Sequence, residues 1–114
     1  MSPAKATTWS AICSLDDIAP DTGVCALVND RHVAVFRVQG GEHGLFAIDN
    51  FDPNAQASVL ARGLVGSIGD RIVVASPIFK HHFDLRSGEC LEVPENSVAS
   101  YPVRLVDSTV MVAV

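Results

Sequence analysis

The residues best suited to chemistry are concentrated in residues 76–85, which read Ser-Pro-Ile-Phe-Lys-His-His-Phe-Asp-Leu. Histidine and aspartate can bind metals and transfer protons near neutral pH. We predict a strand over residues 80–85, on which His81 and His82 point to opposite faces and so cannot bind one metal together. His82 and Asp84 share a face, but the sequence offers no third donor to complete a ligand set. We therefore expect one histidine to hydrogen-bond within the loop and the other to face solvent.

Other groups with reactive side chains are scattered along the sequence. Cys13, Cys25 and Cys90 are widely spaced, with no C-x-x-C pair, and we expect buried or idle thiols rather than disulfides or metal ligands. Asp16 and Asp17 follow a serine suited to capping, so they favour the start of a short helical turn rather than a catalytic pair. There is no Ser-His-Asp order and no glycine-rich phosphate loop. The sequence therefore predicts no catalytic residue.

The elements that must position these residues are short strands. Residues 24–28 and 32–38 are β-rich runs separated by Asn29-Asp30-Arg31, and Asn and Asp tolerate the positive φ of a tight hairpin. The second run is apolar on both faces, which predicts a central strand packed on two sides. Eight to ten such strands recur at spacings of about 8–12 residues, which is typical of an all-β antiparallel sandwich or barrel. We expect a flexible tail over residues 1–8 and one domain over residues 9–114.

Composition and charge narrow the class of protein further. The chain has 114 residues, of which 48% are hydrophobic and 18% charged, as is usual for a globular domain. No apolar run approaches the roughly 20 residues that span a bilayer, and the first residues have no apolar signal core, so we expect a cytoplasmic protein. A net charge of −5 argues against a nucleic-acid partner, because binding phosphates needs a basic face.

The order of these elements resembles that of Rieske-type ferredoxin domains. In that family a Cys-x-His loop and a Cys-Pro-x-His loop hold a [2Fe–2S] cluster, with two thiolates on one iron and two imidazoles on the other. The corresponding positions here are Asp52 and Asn54 in the first loop, and Ser76 and Phe79 in the second. The resemblance implies a Rieske-like fold with the two loops at one tip. Since hydroxyl and amide groups replace soft ligands poorly and Phe79 has no donor atom, we expect no cluster, and we expect the Phe79 ring to fill the vacated space as a core plug.

Six short sequence motifs along the chain resemble those of one family, the small subunits of assimilatory NAD(P)H-dependent nitrite reductases. They are Trp9-x-x-Ile12-Cys13, Gly23-Val24-Cys25-Ala26-Leu27, Asn50-x-Asp52-Pro53, Val59-Leu60-x-Arg62-Gly63, Ser76-Pro77 with Lys80-x-His82-Phe83-Asp84-Leu85, and Gly88-Glu89-Cys90-Leu91. The resemblance implies a non-catalytic subunit without a redox centre. Its partner would be the large subunit, which carries FAD, a [4Fe-4S] cluster and sirohaem and reduces nitrite to ammonia.

The same resemblance suggests where the partner binds. Loops on a rigid β scaffold often carry binding residues, and arginine is favoured at interfaces. We therefore predict docking through Arg62, Lys80 and His81 at the tip. Two alternatives remain open: a working Rieske ferredoxin that passes electrons to an oxygenase, and a stand-alone binding or regulatory module that has kept only the fold.

Overall fold

A computed structural model of the chain describes residues 8–39 and 44–114. The predicted tail, apart from Thr8, lies outside the described residues. Twelve strands form within the described ranges: β1 (Trp9–Ser14), β2 (Thr22–Val28), β3 (Arg31–Arg37), β4 (Leu45–Asp49), β5 (Phe51–Asp52), β6 (Ala57–Ser58), β7 (Leu64–Ile68), β8 (Arg71–Ala75), β9 (His82–Asp84), β10 (Ser100–Tyr101), β11 (Val103–Val106) and β12 (Thr109–Ala113). Three single-turn 3-10 helices lie at Leu15–Asp17, Leu60–Arg62 and Pro94–Asn96. None of the helices found there is long and apolar enough to span a bilayer.

All the strand pairs of the described chain are antiparallel, and they form three sheets and a small hairpin. The central sheet has the order β10-β4-β3-β2, a second sheet has the order β1-β12-β11, and a third has the order β7-β8-β9. Strands β5 and β6 pair with each other. This arrangement confirms the all-β antiparallel class predicted from the spacing of the strands.

Strand β3 explains why the central sheet has a hydrophobic core on each face. Val33 and Val35 pack into one core together with Val110 and Val112 of β12. Ala34 and Phe36 alternate with them and pack into the other core, which β8 and β9 cover. Because successive side chains of a strand point to opposite faces, an uninterrupted apolar run is what a strand buried on both sides requires. The prediction of a central strand packed on two sides is confirmed.

The turns predicted from residue type also form. Asn29 and Asp30 have φ of 50° and 64°, the left-handed pair of a two-residue hairpin between β2 and β3. Ser14 caps the first 3-10 helix: its Oγ accepts from the backbone N of Asp16, and its own backbone N donates to Asp17 Oδ2. Asp16 and Asp17 therefore belong to a helix cap, as expected.

The strand predicted over residues 80–85 is shorter than expected, and this changes the position of one histidine. Strand β9 covers only His82–Asp84. Before it, the backbone N of Lys80 donates to Ser76 O (3.0 Å), and the backbone N of Ser76 donates to His81 O (2.9 Å). These bonds close a loop that keeps Lys80 and His81 out of the sheet. The prediction that the two histidines alternate along one strand was therefore wrong.

Candidate functional site

The first of the two loops is the β5–β6 hairpin, and Asp52 organises it. Asp52 ends β5 and is fully buried. Its Oδ1 accepts from the backbone N of Asn54 (2.9 Å) and of Ala55 (3.4 Å), as an aspartate does in an Asx turn. The Asp52 carboxylate thus holds the shape of the hairpin loop.

The second loop follows β8 and turns at residues 77–79, where Pro77 fixes the first torsion. Ser76 precedes this turn and is fully buried, whereas the turn itself is exposed. Lys80 ends the loop with φ of 61°, a left-handed conformation that glycine adopts far more readily than lysine.

One hydrogen bond joins the two loops. Ser76 Oγ donates to Asp52 Oδ2 at 2.5 Å, and both residues are buried. These are the two positions that correspond to the thiolates of a Rieske site, so the structure brings them together as the resemblance implied. A hydroxyl that donates to a carboxylate makes a charge-assisted hydrogen bond, which is stronger than a bond between neutral groups. The carboxylate and the hydroxyl therefore bind each other and link the loops directly.

Asn54 and Phe79, the two residues at the positions that correspond to the imidazoles, point in different directions. Asn54 points inward, where its Oδ1 accepts from Asn96 Nδ2 (2.8 Å) and its Nδ2 lies 3.6 Å from Cys90 Sγ. Phe79 points outward and is 60% exposed, with its ring edge-on to that of His81 at 6.4 Å between centroids. The prediction that Phe79 fills the core as a plug was wrong. Between the loops, the side chains of Asp52 and Ser76 contact each other instead.

This donor set does not fit a [2Fe–2S] cluster. The carboxylate of Asp52 is engaged by the Ser76 hydroxyl and two backbone N–H groups. Cys90 is the one sulfur in contact with these side chains, while a Rieske cluster needs two thiolates and two imidazoles. Among the residues that the structure describes, no group of three or more His, Cys, Asp or Glu side chains is arranged to hold a metal.

His82 and Asp84 have structural partners of their own. The His82 ring nitrogen Nδ1 lies 2.6 Å from Glu92 Oε2, and the His82 backbone N donates to Glu92 Oε1. Burial acts to raise the pKa of Glu92, but the hydrogen bonds from the His82 backbone and ring outweigh it and lower that pKa. Asp84 Oδ1 accepts from the backbone N of Arg86 and Ser87 and so caps the turn after β9. His82 and Asp84, which the sequence suggested as part of an incomplete set of metal ligands, thus contact different groups.

The predicted docking residues lie in part around one cleft. Arg62 and Lys80 line a cleft of about 200 Å³ together with Leu64, Ser76 and Pro77. His81 is not among the residues that line it. Its Nδ1 is buried and makes no hydrogen bond within the described chain. The structure therefore brings Arg62 and Lys80 together and leaves His81 beside them.

Exposed apolar side chains that were not predicted from the sequence lie at the same tip. Leu64 is 79% exposed and Ile78 46% exposed, and with Phe79 they form what we call the tip patch (Leu64, Ile78 and Phe79). Two signals in the sequence point to it. Ile78 and Phe79 follow Pro77 in a turn, where polar residues are usual, and Leu64 directly follows a glycine at the start of β7.

Comparison with known proteins places this geometry in a family. Residues 8–113 match the family model of the Rieske-like [2Fe-2S] domain. The chain is 45% identical to the NADH nitrite reductase small subunit of Escherichia coli K12 over 102 residues, which is 90% of this chain and 94% of that protein. It superposes on the NMR structure of the E. coli protein NirD with a TM-score of 0.86 and 42% identity, covering 96% of this chain and 98% of that one.

One further relative has a different chain architecture. The chain is 38% identical over 104 residues to the NAD(P)H nitrite reductase large subunit of Klebsiella oxytoca, and the match covers 91% of this chain but 11% of that protein. A domain like this one thus forms a small part of a longer polypeptide there. Taken with the similarity along nearly its whole length to the E. coli protein, the chain belongs to the Rieske-like domains and, among them, to the family of NADH nitrite reductase small subunits.

Proposed function

We propose that this chain is the non-catalytic small subunit of a cytoplasmic NAD(P)H-dependent nitrite reductase, which reduces nitrite to ammonia in nitrate assimilation. The observation that carries the proposal is the 45% identity to the E. coli small subunit over 90% of the chain. The chain is then one component of an oxidoreductase complex, and its own part is to assist the large subunit.

The large subunit is the proposed partner. In Klebsiella oxytoca a domain related to this one is contained in a protein named as the large subunit, which supports a direct association of the two. We assign FAD, the [4Fe-4S] cluster and sirohaem to that partner on the basis of the family resemblance. Nothing in the donor chemistry of the two loops requires a cofactor in this chain.

The loop chemistry supports assembly rather than electron transfer. A Rieske ferredoxin needs two thiolates and two imidazoles, and Asp52, Asn54, Ser76 and Phe79 stand at the corresponding positions. The bond from Ser76 to Asp52 instead holds the two loops in one shape. We infer that the tip serves as a rigid docking surface, with Arg62, Lys80 and His81 as the contacting residues.

Co-expression of the tagged chain with the cognate large subunit tests this function. We expect both chains to be recovered together, and the complex to reduce nitrite with a nicotinamide cofactor. Arg62→Glu and Lys80→Glu should each lower the recovery of the large subunit, whereas Arg86→Glu, beyond the far end of β9, should not. A large subunit that never co-purifies with the wild-type chain would contradict the proposal and favour the stand-alone module.

A further inference from the structure

The tip patch is unusual because large apolar side chains are exposed next to one another. Leu64 lies at the start of β7, paired with Ala75 at the end of β8, and the turn with Ile78 and Phe79 follows directly. All three side chains are between 46% and 79% exposed. Clustered apolar exposure costs solubility and commonly marks a surface that a partner covers. The patch is therefore a candidate contact surface for a partner.

The charges beside the patch point to the kind of partner. Most of the cations in the described chain contact other protein groups. Arg31 pairs with Asp49, Arg71 with Glu89, Arg37 donates to two backbone carbonyls, and Arg86 and Arg104 lie over the rings of Phe46 and Trp9. Arg62 and Lys80 make no ion pair with any described residue. Two uncompensated cations thus flank the apolar tip of a chain with a net charge of −5.

We propose, on the basis of the function proposed above, that the tip patch is the anchor by which this chain binds the nitrite reductase large subunit. Phe79 inserts into an apolar recess of that partner, and Arg62 and Lys80 face an acidic rim around the recess. Buried aromatic side chains ringed by polar contacts dominate the binding energy of typical interfaces. The Asp52–Ser76 bond fixes the loop that presents Phe79, so little freedom is lost when the complex forms.

Binding of purified variants to the cognate large subunit tests the proposal. Phe79→Ala should raise the Kd at least about 30-fold, the threshold of an interface hot spot. Leu105→Ala is the matched control, because Leu105 is 38% exposed on β11, in the sheet that packs on the opposite face of the central sheet from β8 and β9; its Kd should stay within about two-fold of wild type. Lys80→Gly should slow association at low salt by several-fold, an effect that added salt removes, while the fold is retained.

The possible outcomes distinguish the anchor from the subunit assignment and from self-association. An unchanged Kd for Phe79→Ala, in a protein whose thermal unfolding matches wild type, would overturn the anchor while leaving the subunit assignment in place. Failure of the wild-type chain to bind the large subunit would overturn the proposed function and the anchor with it. A homodimer of the isolated chain that dissociates in Phe79→Ala would also overturn the proposal, because it would assign the tip patch to self-association.

Discussion

Replacing Ser76 with alanine removes the hydroxyl that donates to the buried carboxylate of Asp52. In the wild-type protein Oδ2 of Asp52 receives this bond at 2.5 Å, and Oδ1 receives the backbone N of Asn54 and of Ala55. Removing the donor leaves one oxygen of a buried acid without its partner. A hydrogen bond to a charged group contributes about 1.5–3 kcal/mol, so Ser76→Ala should lower the free energy of unfolding by about 2 kcal/mol. For a domain of this size that corresponds to a Tm about 8 °C lower.

Urea and thermal unfolding followed by circular dichroism measure this change. Ser67→Ala is the matched control, because Ser67 is exposed on β7; its unfolding free energy should change by no more than about 0.5 kcal/mol. A double-mutant cycle that combines Ser76→Ala with Asp52→Ala isolates the interaction energy between the two side chains, and we expect a coupling free energy of about 1.5–3 kcal/mol. Coupling below about 0.5 kcal/mol would refute the reasoning that this bond links the two loops.

Two further predictions concern the scaffold. Gly88 has φ of 83°, and a Cβ there would overlap the carbonyl oxygen of Val98. Gly88→Ala should therefore lower the free energy of unfolding, measured in urea, by at least about 2 kcal/mol. Gly66→Ala is the control: an added Cβ meets nothing there, so the free energy of unfolding should stay unchanged or rise slightly. Burial and the hydrogen bond to Asp49 raise the pKa of Tyr101 from the usual 10.0 of tyrosine to about 12. Because the raised pKa favours the protonated phenol of the folded state, its contribution to stability is complete below pH 10 and is lost as the pH rises towards 12. Ultraviolet titration reports Tyr101 alone, since the chain has one tyrosine, and a midpoint near 10 in the folded protein would contradict this.

Local sequence patterns predicted the features that depend on neighbouring residues. The alternation of Val33, Ala34, Val35 and Phe36 identifies a strand with two buried faces, because burial on each face follows directly from side-chain type. The hairpin turn at Asn29-Asp30 follows in the same way from the tolerance of those residues for positive φ. The two loops also lie side by side, as the resemblance to Rieske-type ferredoxin domains implied.

Features that depend on contacts between distant residues could not be predicted in this way. The bond between Ser76 and Asp52, which are 24 positions apart, and the exposure of Phe79 both depend on how the two loops pack in the folded chain. The start of β9 likewise depends on the hydrogen bonds that close the loop from Ser76 to His81. Leu64 is exposed because no described residue covers its face of the sheet, and only the tertiary packing determines which faces are covered.

This fold retains the two loops of a Rieske site, and we propose that it does so without the metal chemistry. Iron and acid-labile sulfide analysis, after anaerobic reconstitution and desalting of the purified chain, tests it most directly, with a Rieske ferredoxin carried through the same procedure. The donor set of Asp52, Asn54, Ser76 and Phe79 predicts a colourless protein with iron and sulfide at background level. Two irons and two sulfides per chain, with the visible absorption and EPR spectrum of a Rieske centre, would contradict the account.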